Sequence, residues 1–310
     1  MRIDSNSLSQ WVISGSQSSQ IQLAQLEQDI STGNDVTQAS DNPLAYAQAS
    51  TTQADLSQLN GYSNAISTAT TATTANNSAM TSIYTLLSKA SETATSVASD
   101  TSTANLQDEA TSVSSLLSEL ISVANQKDNN GNYMFGGTNN QPPLESNGSF
   151  NASANGTVNT TQVAPGNNVQ TSIVAGNPSG SPATDGFLYD SATGVNVIAA
   201  LQQTITDLNA GNATAVQTTD VPALNAAMNL ISTYVGSTSA SMSAVSTAKT
   251  QNSSQVAAEG NTLNSLTQTN VATASVQLQQ IQNQYEATLE AGSRILGLSI
   301  LNYLGSTTTG

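Results

Sequence analysis

Five of the seven prolines in this chain fall between Pro142 and Pro182. Proline removes a backbone donor and its ring clashes with the preceding helical turn, so a helix interior excludes it. Helix is therefore barred in one central stretch and permitted over long spans on either side. The other two prolines stand where helices begin. Asp41-Asn42-Pro43 reads as an N-cap followed by proline in the first turn, and Asp220-Val221-Pro222 as a looser version of the same signal.

The flanking spans carry a seven-residue pattern. Val12, Ser19 and Leu26 share one seam position, and Ser16, Leu23 and Ile30 the next, before the turn-rich Ser31-Thr32-Gly33-Asn34-Asp35. Beyond Pro43 the 3/4 spacing continues through Leu56, Leu59, Ile66, Met80, Tyr84 and Leu87, with Thr70, Thr73 and Asn77 as polar seam residues. Leu106, Ala110, Val113, Leu117, Leu120 and Ala124 form the cleanest run, ending at Asp128-Asn129-Asn130-Gly131. From Gly136 to about Asp190 the periodicity gives way to β-favouring patches such as Val169–Val174 between Gly, Asn and Pro clusters. Helical character returns from Val195 to Leu208 and again from about Ala223. It is strongest in Ala274, Leu278, Ile281, Tyr285, Leu289, Gly292 and Leu296.

Composition decides what such helices can do. Only 37% of residues are hydrophobic and 8% charged, and Leu, Ile, Val and Phe make up roughly a fifth of the chain, close to the level at which disorder becomes the default. One thick core is out of reach, because burial at about 25 cal/mol per Å² must offset ordering at ~1–2 kcal/mol per residue. Thin helical pairs that gain further burial by association suit this composition. The two terminal helical halves should therefore pack on each other. The expected fold is mainly α: long antiparallel coiled-coil helices from both termini forming a rod, with a small β-rich domain inserted mid-chain. The expected divisions are 1–40 with 265–310 as a terminal assembly domain, 41–137 with 190–264 as a helical rod, and 138–189 as a β-rich surface insertion.

Charge and chemistry exclude several classes of function. A net charge of −15, with no Lys or Arg between Lys127 and Lys249, argues against nucleic acid and anionic membranes, both of which demand clustered cations. No apolar run nears the ~18 residues of a membrane span, and Met1–Ser7 lacks the apolar stretch of a secretory signal peptide. Without His or Cys there is no imidazole base, thiol nucleophile or common metal ligand. No serine lies in a recognisable Ser–Lys motif and no Gly-rich phosphate loop follows a strand. No catalytic residue, cofactor or metal is expected. Asp128-Asn129-Asn130-Gly131 departs from a calcium loop, which needs Gly and Glu where Tyr133 and Asn139 stand, and reads as a turn. The Asn-x-Ser/Thr triplets at Asn147, Asn151, Asn155 and Asn159 read as chance in an Asn/Ser/Thr-rich loop.

Four passages carry a family resemblance: Leu26–Gly33; Ala39-Ser40-Asp41-Asn42-Pro43; Ala124–Thr138, with Tyr133-Met134-Phe135-Gly136-Gly137-Thr138 as its most specific part; and Ser293–Leu304. In this order they resemble the flagellin superfamily of axial proteins, and within it the hook–filament junction family (hook-associated protein 3, FlgL-type). The chain is poorer in Arg than this family's pattern, and its Gly305–Gly310 tail extends past the usual end.

The resemblance implies a structural subunit of the bacterial flagellum, exported by the flagellar type III apparatus without a cleaved signal peptide. It would lie outside the cell at the hook–filament junction. Implied partners are copies of itself in a ring or helical layer, hook-associated protein 1, flagellin, and an export chaperone at the C-terminal helix. Asp41, Asn42, Pro43, Tyr133, Phe135, Gly136 and Gly137 are the structural motif residues. Leu8, Trp11, Leu23, Leu26, Ile30, Leu278, Ile281, Tyr285, Leu289, Ile295, Leu296, Leu298 and Leu301 are the expected assembly interface. Periodicity alone would make these stripes an ordinary intrachain core; the thin composition and the resemblance favour intrachain pairing completed by neighbours. Two alternatives are a short flagellin that forms the filament itself, and a secreted adhesin or binding module that uses the β-rich insertion.

Overall fold

The computed structural model describes residues 5–97, 102–154, 156–180 and 182–307; among these, the side chains of 5–9, 103, 296 and 298–307 are outside the description. The helices are α1 (Ser5–Thr32), α2 (Pro43–Ser96), α3 (Thr103–Ala124), α4 (Val197–Asn209), the single turn α5 (Ala213–Ala215), α6 (Val221–Thr267) and α7 (Val271–Thr307). Two antiparallel hairpins lie in the proline-rich stretch and just after it, β1 (Thr160–Ala164) with β2 (Asn167–Gln170) and β3 (Tyr189–Asp190) with β4 (Val195–Asn196). The expected fold class, mainly α with a small β region, is the one observed. Asn42 caps α2 as expected, its Oδ1 accepting from the Ala45 amide at 3.1 Å, with Pro43 as the first helical residue.

The chain forms two compact units, Met1–Gln58 with Val256–Gly310, and Leu59–Gln255. The expected boundaries at residues 40 and 265 followed the turns. The observed divisions fall inside α2 and α6 instead. A turn ends a helix but not a packing unit: Ala45, Ala49 and Leu56, beyond the turn, are already buried.

In the terminal unit α1 and α7 pack antiparallel, with Gly15 opposite Thr288 and Val12 opposite Gly292. At the far end of the pair, the loop after α1 joins the α6–α7 connection through backbone hydrogen bonds. Asp35 N–H donates to Thr267 O and Thr269 N–H to Gly33 O, each at 2.9 Å.

In the other unit α3, α4 and parts of α2 and α6 share one hydrophobic core with the proline-rich segment. Leu106, Ala110, Val113, Leu117, Leu120 and Ala124 are all buried, as their spacing predicts. Leu144, Ile173, Ala175, Phe187 and Leu188 are buried in the same cluster. The β-rich segment therefore has no core separate from the helices, and the expectation of a surface insertion is corrected to that extent. It contributes too few apolar side chains to exclude water alone, so it borrows those of the helices: Val163 and Val169 of the β1–β2 hairpin lie in a second cluster with Ile66 and Ala69 of α2 and Val245 and Ala248 of α6.

The seam of α2 also departs from the expected one. Leu56, Ile66, Thr73, Met80 and Leu87 are buried, but Thr70 and Tyr84 are exposed, and Ala69, Asn76 and Ile83 take the inward places. Both ladders satisfy 3/4 spacing, and the second is the one turned inward. Asn77 is half-buried and accepts hydroxyl hydrogen bonds from Thr238 (3.1 Å) and Ser239 (3.3 Å) of α6. The exposed hydroxyls on these helices mostly donate back to the carbonyl four residues earlier, as Thr51, Thr81 and Thr247 do, so each is satisfied within its own helix.

Pro222 does not follow a simple N-cap. Val216–Asp220 forms a π-helical turn that runs directly into α6, and Asp220 is buried within it. Proline supplies no amide donor, so the chain accommodates it with a wider turn in which Val221 N–H donates to Val216 O.

Candidate assembly surface

The α1–α7 pair is built from two sequence ladders. Val12, Ser16, Ser19, Leu23, Leu26 and Ile30 of α1 are half-buried in the spacing the sequence predicts. On α7, Ala274 and Gly292 are buried and Leu278, Ile281, Tyr285, Thr288 and Ile295 half-buried. Gly292 lets the helices approach closely: a Cβ there would stand 2.7 Å from Val12 Cγ1. Gln20 Nε2 donates to Tyr285 Oη at 2.7 Å across the pair. Beside Leu26 and Ile281 lies an open groove of about 430 Å³, walled mainly by glutamines, including Gln22, Gln25, Gln277 and Gln280.

None of the expected interface residues whose side chains are described is fully buried. Leu23, Leu26, Ile30, Leu278, Ile281, Tyr285 and Ile295 face the seam, whereas Trp11 (81% exposed) and Leu289 (47%) point out of the pair. Thr288 takes the seam place that spacing had given to Leu289. The side chains of Leu8, Leu296, Leu298 and Leu301 lie outside the described ones. Sequence reasoning missed Ile13, Ile21, Val271 and Val276, which are also exposed. They fall off the 3/4 register, and the signal that marks them is a large apolar side chain on an otherwise polar helix face. The seam is thus left half-open, with further apolar groups exposed outside it.

At the end of α1, Asp29 is buried and accepts from Gln25 Nε2 at 3.0 Å; burial raises its carboxyl above the usual carboxylate range. Asp41 Oδ2 accepts the amides of Thr37 and Gln38, both at 3.0 Å, and these bonds hold its carboxyl below the usual range. Asp41 thus closes the loop that delivers Asn42 and Pro43 to the start of α2.

The passage from Ala124 to Thr138 is a folded clasp in the other unit. Asn125 pairs reciprocally with the Leu144 backbone, donating to its carbonyl at 2.8 Å and accepting its amide at 3.1 Å. Asp128 Oδ1 accepts from the Asn130 and Asn132 amides, so Asp128–Gly131 is a turn, as expected. Lys127 Nζ lies 4.5 Å from the centre of the Tyr133 ring. Phe135 is buried edge-on against Phe187, ring centres 4.9 Å apart, and Phe187 meets Tyr234 in the same manner. Gly136 and Gly137 stand where side chains have no room. A Cβ at Gly136 would lie 2.4 Å from Gln141 O; at Gly137, with φ +58°, it would lie 2.7 Å from Thr157 O. The atoms in the way are backbone and cannot rotate aside. Gly136→Ala should therefore lower stability by about 1–3 kcal/mol, the usual cost of overpacking, read as an earlier urea midpoint at unchanged slope.

Among the described residues no group of three or more acidic side chains is arranged to hold a metal ion, and no helix is long and apolar enough to cross a membrane.

The family model of the bacterial flagellin N-terminal helical region matches residues 3–140. No curated protein sequence matches the chain. Among solved structures it is similar to FlgL from Bacillus cereus (TM-score 0.55, 16% identity, covering 69% of this chain and 99% of that one). It is also similar to flagellar hook-associated protein 3 from Legionella pneumophila (TM-score 0.57, 13% identity, 70% and 98%). A third is the flagellar junction protein FlgL from the same organism (TM-score 0.55, 14% identity, 71% and 100%). Residues 3–140 are thus similar to the flagellin N-terminal helical region, and the fold is shared with FlgL-type proteins.

Proposed function

From a chain with a flagellin-type N-terminal region and the fold of FlgL-type proteins, we propose a non-enzymatic structural subunit of the bacterial flagellum. Within it, we assign the chain to the junction between hook and filament. It would be seated on hook-associated protein 1, receive flagellin, and lie outside the cell after export through the flagellar type III apparatus. A chaperone would cover the C-terminal helix beforehand.

The observation that carries this reading is the α1–α7 pair. Its seam is only half-buried within one chain, while Trp11 and Ile21 stand 81% and 71% exposed beside it. Copies of the chain and neighbouring axial proteins would complete that burial through the expected interface residues. Asp41-Asn42-Pro43 and Tyr133–Gly137 support a junction protein over a short flagellin. The shared core of residues 144–188 with α3 and α4 argues against a separable adhesin module.

The test is a deletion strain in the source bacterium. Loss of attached filaments, with flagellin released into the medium and restored to the cell by the intact gene, is the expected result. Filaments that remain attached, or purified protein that polymerises into long filaments when seeded, would overturn the junction assignment; the second outcome would favour a flagellin.

A further inference from the structure

Asp220 occupies a place that resists a carboxylate. It closes the π-helical turn Val216–Asp220, is 1% exposed, and its Oδ2 has no hydrogen-bond partner. Val216 and Leu224, four residues to either side, are fully buried. The charged group that bears on it is Asp207, on the α4 helix that packs against this turn. Gln203 Nε2 donates to Asp207 Oδ2 at 2.8 Å. Between Asp207 and Lys249 the chain holds no charged residue other than Asp220. Among the described residues the one ion pair joins Arg294 to Glu290 in the other unit, so no cation neutralises either carboxyl. Two carboxylates are both acceptors and cannot bond to each other unless one carries a proton.

We propose that Asp207 and Asp220 form a proton-operated latch between α4 and the start of α6, closed while one shared proton bridges the two carboxyls and loosened when that proton leaves. The π turn is part of the device. By adding a residue to the turn it directs Asp220 inward, towards α4, and widened turns of this kind recur at functional positions. Burial first, and then the negative charge of Asp207, push the Asp220 carboxyl from its ordinary 3.8 up to about 6.

The sign follows from that elevation. Between 3.8 and about 6 the folded chain holds a proton at Asp220 that the unfolded chain has released. Stability contributed here is complete below the ordinary value, falls as pH rises through this window, and levels off above it.

Thermal and urea unfolding of the full chain from pH 4 to 8, comparing the natural protein with Asp220→Asn, test the latch. Asn mimics the protonated carboxyl and can donate to Asp207. A chain of net charge −15 also loses stability with rising pH through general repulsion, so the readout is the difference between the two proteins. The variant should gain on the natural protein through the window, reaching on the order of a hundredfold in folding equilibrium above pH 6.5. Hydrogen exchange at pH 7.5 should show residues 213–222 better protected in the variant. Carboxyl NMR of the natural protein supplies a readout independent of any substitution, with Asp220 titrating near 6. Titration near 4, or parallel stability profiles, would overturn the proposal. So would stabilisation by Ca²⁺ or Mg²⁺ that vanishes in Asp220→Asn, because a cation rather than a proton would then fill the site.

Discussion

Trp11→Asp is expected to abolish incorporation into assemblies while leaving the melting temperature of the monomer within a degree or two. Trp11 is 81% exposed, and substitutions at exposed positions away from special features usually change stability by less than about 0.5 kcal/mol. An aromatic anchor lost from an interface costs about 2 kcal/mol or more, and an assembly repeats that loss at every subunit. Removing residues 1–30 or 275–310 should have the same effect on assembly for a larger reason, since each deletion leaves the seam of the other helix without a partner. The unit spanning 59–255 should stay folded in both truncations, because among the described residues its core draws none from α1 or α7. Far-UV circular dichroism and sedimentation, with recovery of motility in a deletion strain, separate the two halves of the expectation. Assembly by the Trp11→Asp protein at the natural concentration would show that the outer apolar groups are not an interface. Assembly by either truncated protein would show that the terminal helices are dispensable.

Phe187→Ala should destabilise the unit spanning 59–255 by about 3–5 kcal/mol, the range for emptying a buried aromatic site. Phe187 is fully buried, meets Phe135 and Tyr234 edge to face, and joins the β-rich segment to the helices. The loss should appear as a urea midpoint shift that matches by circular dichroism and by tyrosine fluorescence. By the same reasoning, residues 138–190 produced alone should be unfolded, with no cooperative melting transition. A folded, ligand-binding fragment would revive the adhesin reading.

How far the candidate site was legible in the sequence varies by element. The α3 ladder was fully legible, since all six apolar positions are buried in the expected phase. The α1 seam was legible in phase but not in extent, because spacing shows which residues line up and not how much of each stays open to solvent. On α7 the register slipped once, from Leu289 to Thr288. There the larger apolar group stays outside the pair, and the seam takes the smaller side chain beside the close contact at Gly292. In α2 the Thr- and Ala-rich middle offers two ladders of equal spacing, and spacing alone does not separate them.

Proline positions, the seven-residue spacing and the scarcity of apolar residues by themselves determined long helices on both sides of a β-rich stretch, with flanks that must pair. These are local properties: backbone donors, steric exclusion and the period of one helix act within a few residues. The tertiary structure alone decided that the β-rich segment shares the helical core, that Gly136 and Gly137 face backbone, and that Asp220 lies buried against Asp207. Each of these joins residues distant in the chain or turns on a local register that spacing does not encode. Burial is a property of the neighbour as much as of the residue, and the neighbour is supplied only when the chain has folded.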